Sequence, residues 1–109
     1  MAVISREQDV LTLIIVIDVK PQNFDALLNH IERETDGFMR RQPGFISANL
    51  HRNAEKTRIV NYGQWESQAL YREARSRDEF KALSKTVEEL AERIDAAPYD
   101  LVYTNARQP

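Results

Sequence analysis

The chain has 109 residues, is 42% hydrophobic and 29% charged, and carries a formal net charge of −2 at pH 7. This size predicts one soluble globular domain over 1–109, and the balanced charge gives no basic excess that would favour nucleic acid or an anionic membrane as a partner. The chain has no cysteine, which excludes disulfides, thiolate catalysis and cysteine-ligated metals. The two histidines, His30 and His51, lie too far apart in sequence to predict a metal site.

The N-terminal part predicts a lead-in, a strand and a helix. Residues 1–9 are polar and lack the pattern of a signal peptide, so we expect a flexible lead-in and a cytoplasmic protein. Val10–Val19 is β-branched and apolar at nearly every position, which indicates a strand buried on both faces, and it is far shorter than the roughly 20 residues of a membrane span. Pro21 suits a first helical turn, and an apolar stripe at helical spacing continues to about Arg41.

The middle of the chain predicts a hairpin, with strands Phe45–Arg52 and Thr57–Trp65 joined by a polar turn at 53–56. Ser67 can cap a helix that begins at Gln68.

A capping box at 76–79 predicts that this helix breaks and restarts. The restarted helix carries a second apolar stripe that runs to Ile94, Pro98 closes it, and Tyr99–Thr104 is predicted as the last strand.

The order β-α-β-β-α-β predicts an α+β, ferredoxin-like fold with a four-stranded antiparallel sheet. Two helices cover only one face of such a sheet, yet the first strand is apolar on both faces. One face carries Leu11, Leu13, Ile15 and Ile17, and the other carries Ile14 and Val16. Since an exposed apolar face is unfavourable, we expect a homodimer with sheet packed on sheet; a monomer with a one-sided sheet is the alternative.

A four-residue turn would pair Arg52 with Thr57 and would place Leu50 opposite Ile59. Alternation then divides the hairpin into two faces. The face predicted to lie under the helices and line a cavity contains Ile46, Ala48, Leu50, Ile59, Asn61, Gly63 and Trp65. The opposite face contains Phe45, Ser47, Asn49, His51, Arg58, Val60, Tyr62 and Gln64.

Three side chains near this face could carry chemistry. Asn61 is unusual in a strand, and its amide must find partners if it is buried; a neighbouring backbone group or a water is the simpler interpretation. Trp65 has an indole N–H that can face a pocket but is more often a core residue. Tyr71 either points inward or covers the sheet edge. The residues alone therefore predict a dimeric domain with a modest pocket, and no reaction.

The segment QPGFISANLHRNAEKTRIVNYGQWESQALYR, residues 42–72, resembles the antibiotic biosynthesis monooxygenase family, in particular its quinone-forming members of the actinorhodin-pathway type. The resemblance implies a dimeric α/β barrel and a cofactor-independent oxidation of an aromatic polyketide or hydroquinone by O₂. It implies that Asn61, Trp65 and Tyr71 are catalytic, with no bound cofactor or metal. The expected substrate-binding residues are Ile46, Ala48, Leu50, Ile59 and Gly63.

Two features depart from those quinone-forming members. They carry a tyrosine where this chain has Leu50, and they use an arginine from the second helical region, for which this chain offers Arg72, Arg75, Arg77 and Arg93 outside any matching motif. Three alternatives remain: a haem-degrading enzyme, although 66–95 contain no histidine; a non-catalytic ligand-binding or stress-response protein; and a purely structural dimer module.

Overall fold

A computed structural model describes residues 10–108, so the predicted lead-in at 1–9 lies outside the described residues. The described chain runs through four strands, three α-helices and a short 3₁₀ turn. In chain order these are β1 (Leu11–Val19), α1 (Pro21–Gly37), the 3₁₀ turn (Met39–Arg41), β2 (Phe45–Arg52), β3 (Arg58–Trp65), α2 (Gln68–Arg75), α3 (Asp78–Leu90) and β4 (Ala91–Tyr99).

The four strands form one antiparallel sheet in the order β2-β3-β1-β4. The hairpin strand β3 inserts beside β1, which leaves β2 and β4 at the two edges. This is the split arrangement that the order β-α-β-β-α-β predicts, and the α+β ferredoxin-like fold is confirmed.

The last strand lies earlier in the chain than predicted. The second apolar stripe was expected to remain helical to Ile94, but α3 ends at Leu90 and Ala91 takes extended angles, φ −85° and ψ 153°. From there β4 pairs with the open edge of β1, from Val19 opposite Ala91 to Thr12 opposite Tyr99. The pairing satisfies the backbone groups of β1, which outweighs the helical spacing of the side chains. An edge strand also tolerates Pro98.

The predicted strand at Tyr99–Thr104 is therefore wrong. Residues 100–108 belong to no helix or strand, and Val102 and Tyr103 are 74% and 70% exposed.

The break between α2 and α3 is confirmed, although its capping differs from the prediction. Ser67 begins α2 as expected, since its hydroxyl oxygen accepts a bond from the Leu70 N–H at 3.2 Å. Ser76 does not start a capping box. Its hydroxyl donates to the Glu73 carbonyl at 2.6 Å and so closes the end of α2, while Arg77 is the N-cap of α3 without a side-chain bond.

The hairpin register differs from the predicted one by two residues. Leu50 lies opposite Asn61 rather than Ile59, because the Asn53 side-chain oxygen accepts from the backbone N–H groups of Thr57 and Arg58, both at 2.9 Å, and lengthens the turn. A shift of two keeps each side chain on its predicted face.

A bulge at the start of β2 does change one face assignment. Ile46 is the extra residue, so Phe45 lies opposite Trp65 and on the same face, against the prediction.

The helices cover one face of the sheet, where two buried clusters form. The first contains Ile17, Val19, Phe24, Leu27 and Ile59, and the second contains Leu13, Trp65 and Ala74. His30 of α1 is buried, and its Nε2 lies 3.1 Å from the Leu83 carbonyl, which ties α1 to α3.

The other sheet face carries half-buried apolar side chains at its centre, among them Ile14, Val16, Val60 and Tyr62. Within 10–108, no helix is long and apolar enough to cross a membrane.

Candidate active site

A cavity of about 430 Å³ lies between the helix-covered face of the sheet and the helices. Its volume falls in the range of small-molecule sites. Most of its wall is apolar and comes from β1, α1, α3 and β4. These residues include Leu13, Ile15, Ile31, Leu83, Val87 and Ile94. The polar part of the wall is concentrated on β3 and α2, through Asn61, Gln68, Tyr71, Arg72 and Arg75, with Ser84, Thr35, Glu34 and Glu88 elsewhere.

Asn61 is the polar residue that the sheet itself presents to the cavity. On its own face its strand neighbours are Ile15 on β1 and Leu50 on β2, both apolar. Its Oδ1 accepts a hydrogen bond of 3.1 Å from the Asn49 backbone N–H, which determines the orientation of the amide. The Nδ2 group then has no acceptor among residues 10–108.

No side-chain nitrogen or oxygen that is buried in the described chain lacks a partner, so this Nδ2 is accessible rather than sealed in protein, and Asn61 lines the cavity. Asn61 therefore offers a hydrogen-bond donor whose direction is set by the backbone of β2.

Trp65 and Tyr71 belong to a chain of aromatic contacts that leads from β2 to the cavity. The ring centroid of Trp65 lies 5.4 Å from that of Phe45 and 5.3 Å from that of Tyr71, and Tyr71 lies 6.4 Å from Phe80. Trp65 is only 2% exposed and lies behind Tyr71, whereas Tyr71 and Phe80 form part of the cavity wall. Trp65 thus supports the tyrosine ring.

Burial raises the pKa of the Tyr71 phenol above 10.0, and the charge of Arg75 opposes this rise. The Arg75 guanidinium lies 5.5 Å from the centre of the Tyr71 ring, a cation–π distance. Because desolvation is the larger effect, the phenol is neutral at physiological pH and can act as a proton donor.

The residues predicted from sequence fall into three places. Asn61 and Tyr71 both line the cavity, and Trp65 lies behind the wall, against Tyr71. Ile59 is 0% exposed in the first core cluster, and Leu50 packs against that cluster. Ile46, Ala48 and Gly63 are absent from the wall. An added Cβ at Gly63 would lie 3.9 Å from the Asn61 amide, so this glycine does leave space beside Asn61. The substrate-binding roles of these residues stay predictions.

Sequence reasoning missed the walls from β1, α3 and β4, which include Ile15, Leu83 and Ala96. The cavity lies over the centre and the β4 edge of the sheet, whereas the prediction concentrated on the hairpin. The strand order of a split β-α-β unit places β1 at the centre of the sheet. That order could have predicted that β1 and its neighbour β4 contribute to the cavity wall.

Of the four candidate arginines, Arg72 and Arg75 line the cavity. Arg77 is the N-cap of α3. Arg93 lies on β4, opposite Asp18 of β1. No group of three or more histidine, cysteine or acidic side chains that could hold a metal ion occurs within the described range.

Comparison with known proteins gives the family. The model of the family described as antibiotic biosynthesis monooxygenase matches residues 10–86, which is more than half of the chain. The chain is also 39% identical over 72 residues to tetracenomycin-F1 monooxygenase of Streptomyces glaucescens, over 66% of this chain and 64% of that protein. The chain therefore spans a little less than two thirds of this curated relative.

Solved structures share the fold. SnoaB, a cofactor-independent oxygenase from Streptomyces nogalater, superposes with a TM-score of 0.73 at 22% identity, over 88% of this chain and 96% of that chain. A conserved protein from Methanosarcina mazei Go1 gives a TM-score of 0.78 at 13% identity, over 87% and 95%. The cavity beside a strand asparagine and a helix tyrosine, the fold and the family match lead to one conclusion: the chain belongs to the antibiotic biosynthesis monooxygenase family.

Proposed function

We propose that the protein is a cofactor-independent monooxygenase that oxidises an aromatic polyketide or hydroquinone-type molecule with O₂ and forms a quinone. The proposal includes a homodimer through the sheet face that lies away from the helices and a cytoplasmic location. The family membership and the names of relatives support the reaction class. The observation that carries the proposal is the Asn61 amide: the residue lines the cavity, and its Oδ1 accepts from the Asn49 N–H, which leaves the Nδ2 donor without an acceptor among residues 10–108.

The chemistry requires the substrate to supply the electrons. A ring methylene loses a proton to give a carbanion, which is stabilised as a phenolate-type oxyanion. The anion passes one electron to O₂, and the resulting radical and superoxide combine to a peroxide. Loss of water then breaks the O–O bond, so that one oxygen atom becomes the quinone carbonyl and the other leaves as water with the two methylene hydrogens.

The protein's contribution is to stabilise the anion and to move protons. Asn61 Nδ2 donates a hydrogen bond to the oxyanion. In an apolar cavity such a fixed donor stabilises negative charge more strongly than it would in water. Tyr71, held neutral by burial, donates a proton to the peroxide as water departs. Trp65 holds the Tyr71 ring by their 5.3 Å contact.

Oxygen uptake with dithranol, an anthrone, in the absence of added cofactor tests the reaction. We expect quinone formation by the wild type and a fall of about 10²- to 10³-fold in kcat for Asn61→Ala, the usual loss when one oxyanion donor is removed. Asn61→Asp is the sharper variant, because its carboxylate still accepts from the Asn49 N–H but presents a negative charge to the anion.

Asn29→Ala is the control, since this exposed amide on α1 lies outside the cavity wall and its loss should leave kcat within about twofold of wild type. An Asn61→Asp variant that is folded and as active as wild type would contradict the oxyanion role. Absence of any wild-type rate above buffer across several anthrones and hydroquinones would contradict the reaction itself.

The second candidate function is binding of a small aromatic molecule without turnover, and Leu50 favours it, because the quinone-forming members carry a tyrosine at this position. It predicts saturable ligand binding in the cavity together with no oxygen uptake. The dimer has a separate test: a sedimentation mass near 12.7 kDa, the mass of one chain, at micromolar concentration would refute it.

A further inference from the structure

The helix α2 borders the cavity with a stripe of polar side chains. Gln68, Tyr71, Arg72 and Arg75 recur at spacings of three, four and seven residues and all four line the cavity. Residues at this spacing share one face of a helix. Ala74 is the buried residue of α2, whereas Gln68, Arg72 and Arg75 are solvent-exposed, so the amide and the two guanidinium groups border the cavity from its solvent side.

Neither Arg72 nor Arg75 has an ionic partner within the described part of the chain. The ion pair found among residues 10–108 joins Arg58 to Asp18, and no carboxylate lies within 4.0 Å of Arg72 or Arg75. The Arg75 guanidinium is held over the Tyr71 ring, 5.5 Å from its centre. Guanidinium groups are donors only, so both positive charges remain available to an acceptor in the cavity.

Basic residues in the last turn of a helix also favour the helix dipole, and Arg72 and Arg75 occupy the last turn of α2. That role can be fulfilled from any face of the helix. It explains the presence of positive charge but not its position on the cavity wall.

The other charges on the wall come from different elements. Glu34 lies on α1 and Glu88 on α3, so negative charge is on those two helices and positive charge is on α2. An anionic substituent would be attracted to α2 and repelled from α1 and α3. The cavity wall therefore favours one orientation of an aromatic ligand that carries a single negative group.

We propose that Arg72 and Arg75 form a recognition site for a carboxylate on the aromatic ligand. The planar guanidinium fork matches the two oxygens of a carboxylate, which makes arginine suited to this group. The inference rests on the proposed function only for the aromatic nature of the ligand; the site orients the ring system and takes no part in the electron transfer.

Binding of unreactive quinones tests the site without turnover. The chain has one tryptophan, Trp65, whose ring lies 5.3 Å from the cavity residue Tyr71, so quenching of its fluorescence reports occupancy. The two probes are anthraquinone-2-carboxylate and the neutral 2-(hydroxymethyl)anthraquinone. Because both arginines are solvent-exposed, we expect the carboxylate to bind roughly three- to tenfold more tightly than the neutral probe, and this preference to weaken as salt is added.

In the Arg72→Gln/Arg75→Gln double variant the ratio of the two Kd values should fall close to one. Arg77→Gln is the matched control, because it removes a positive charge two residues beyond α2 from a side chain outside the cavity wall, and it should keep the wild-type ratio. Arg72→Lys should retain part of the preference, which also shows that the effect follows charge rather than folding.

Equal binding of both probes by the wild type, or a preference that survives in the double variant, would overturn the inference. Oxygen uptake separates this result from the proposed function. A preference that depends on the arginines, found without any oxidation, supports the carboxylate site and refutes the monooxygenase; oxidation of neutral anthrones without the preference does the reverse.

Discussion

Gly44 is the position where one added methyl group should disturb both stability and the cavity. It has a φ of +89°, and an added Cβ would lie 2.6 Å from Leu70 Cβ and 2.7 Å from Leu70 Cδ1. The glycine cannot easily move away, because its carbonyl accepts a bond of 2.7 Å from the Glu66 N–H at the end of β3. Replacement of Leu70 by alanine would not relieve the contact, since its Cβ is the nearest atom.

The expected cost of Gly44→Ala is the sum of two effects. A non-glycine residue at this φ costs about 1–2 kcal/mol, and overpacking costs about 1–3 kcal/mol. We therefore expect the free energy of unfolding to fall by roughly 2–5 kcal/mol. Because Leu70 lies on α2 beside Tyr71, any relaxation that moves α2 should also weaken ligand binding in the cavity.

Urea denaturation measures the effect, with Gly37→Ala as the matched control. Gly37 ends α1 and has no heavy atom within 4 Å of its added Cβ, so the same substitution should stabilise the helix by up to about 1 kcal/mol. The two variants should thus differ in sign. A Gly44→Ala protein whose unfolding free energy lies within about 0.5 kcal/mol of wild type would refute the close approach of α2 to β2.

Two further predictions concern the core and the phenol. Leu27 is 0% exposed in the first cluster, so Leu27→Ala should lower the free energy of unfolding by about 2–5 kcal/mol. A urea midpoint unchanged from wild type would contradict the burial of Leu27. Burial raises the folded-state pKa of Tyr71 above 10.0, so its contribution to stability is complete below pH 10.0 and is lost as pH rises through the folded-state pKa. Phenolate absorbance of wild type minus Tyr71→Phe should therefore show a midpoint above 10.0; a midpoint at or below it would contradict the burial.

Local sequence signals were sufficient to locate most of the strands and helices, but not the end of α3. The β-branched run of β1 and the glycine- and proline-marked boundaries predicted most of the strands and helices, because local side-chain chemistry determines them. The end of α3 was mispredicted because the helical spacing continues through Ile94, while the open edge of β1 requires a backbone partner. The spacing of apolar residues along the chain does not show that β1 needs a hydrogen-bonded partner strand, because this need arises only when the sheet assembles.

The site divides in the same way. The motif from Asn61 to Tyr71 and the face of each β3 side chain follow from sequence and from the period of two along a strand. Together they predicted Asn61 and Tyr71, which both line the cavity. The position of Trp65 behind the Tyr71 ring and the choice of Arg72 and Arg75 over Arg77 could not be predicted, because they depend on how α2 packs across the sheet.

The sequence by itself therefore determined the family, the element order and the strand that carries Asn61, since each is encoded in residues close together along the chain. Only the tertiary structure decided the register of the hairpin, the extent of β4 and the walls of the cavity. The physical reason is that backbone hydrogen bonds and packing between β1, α2 and α3 join residues far apart in sequence, and their combined free energy outweighs local preference.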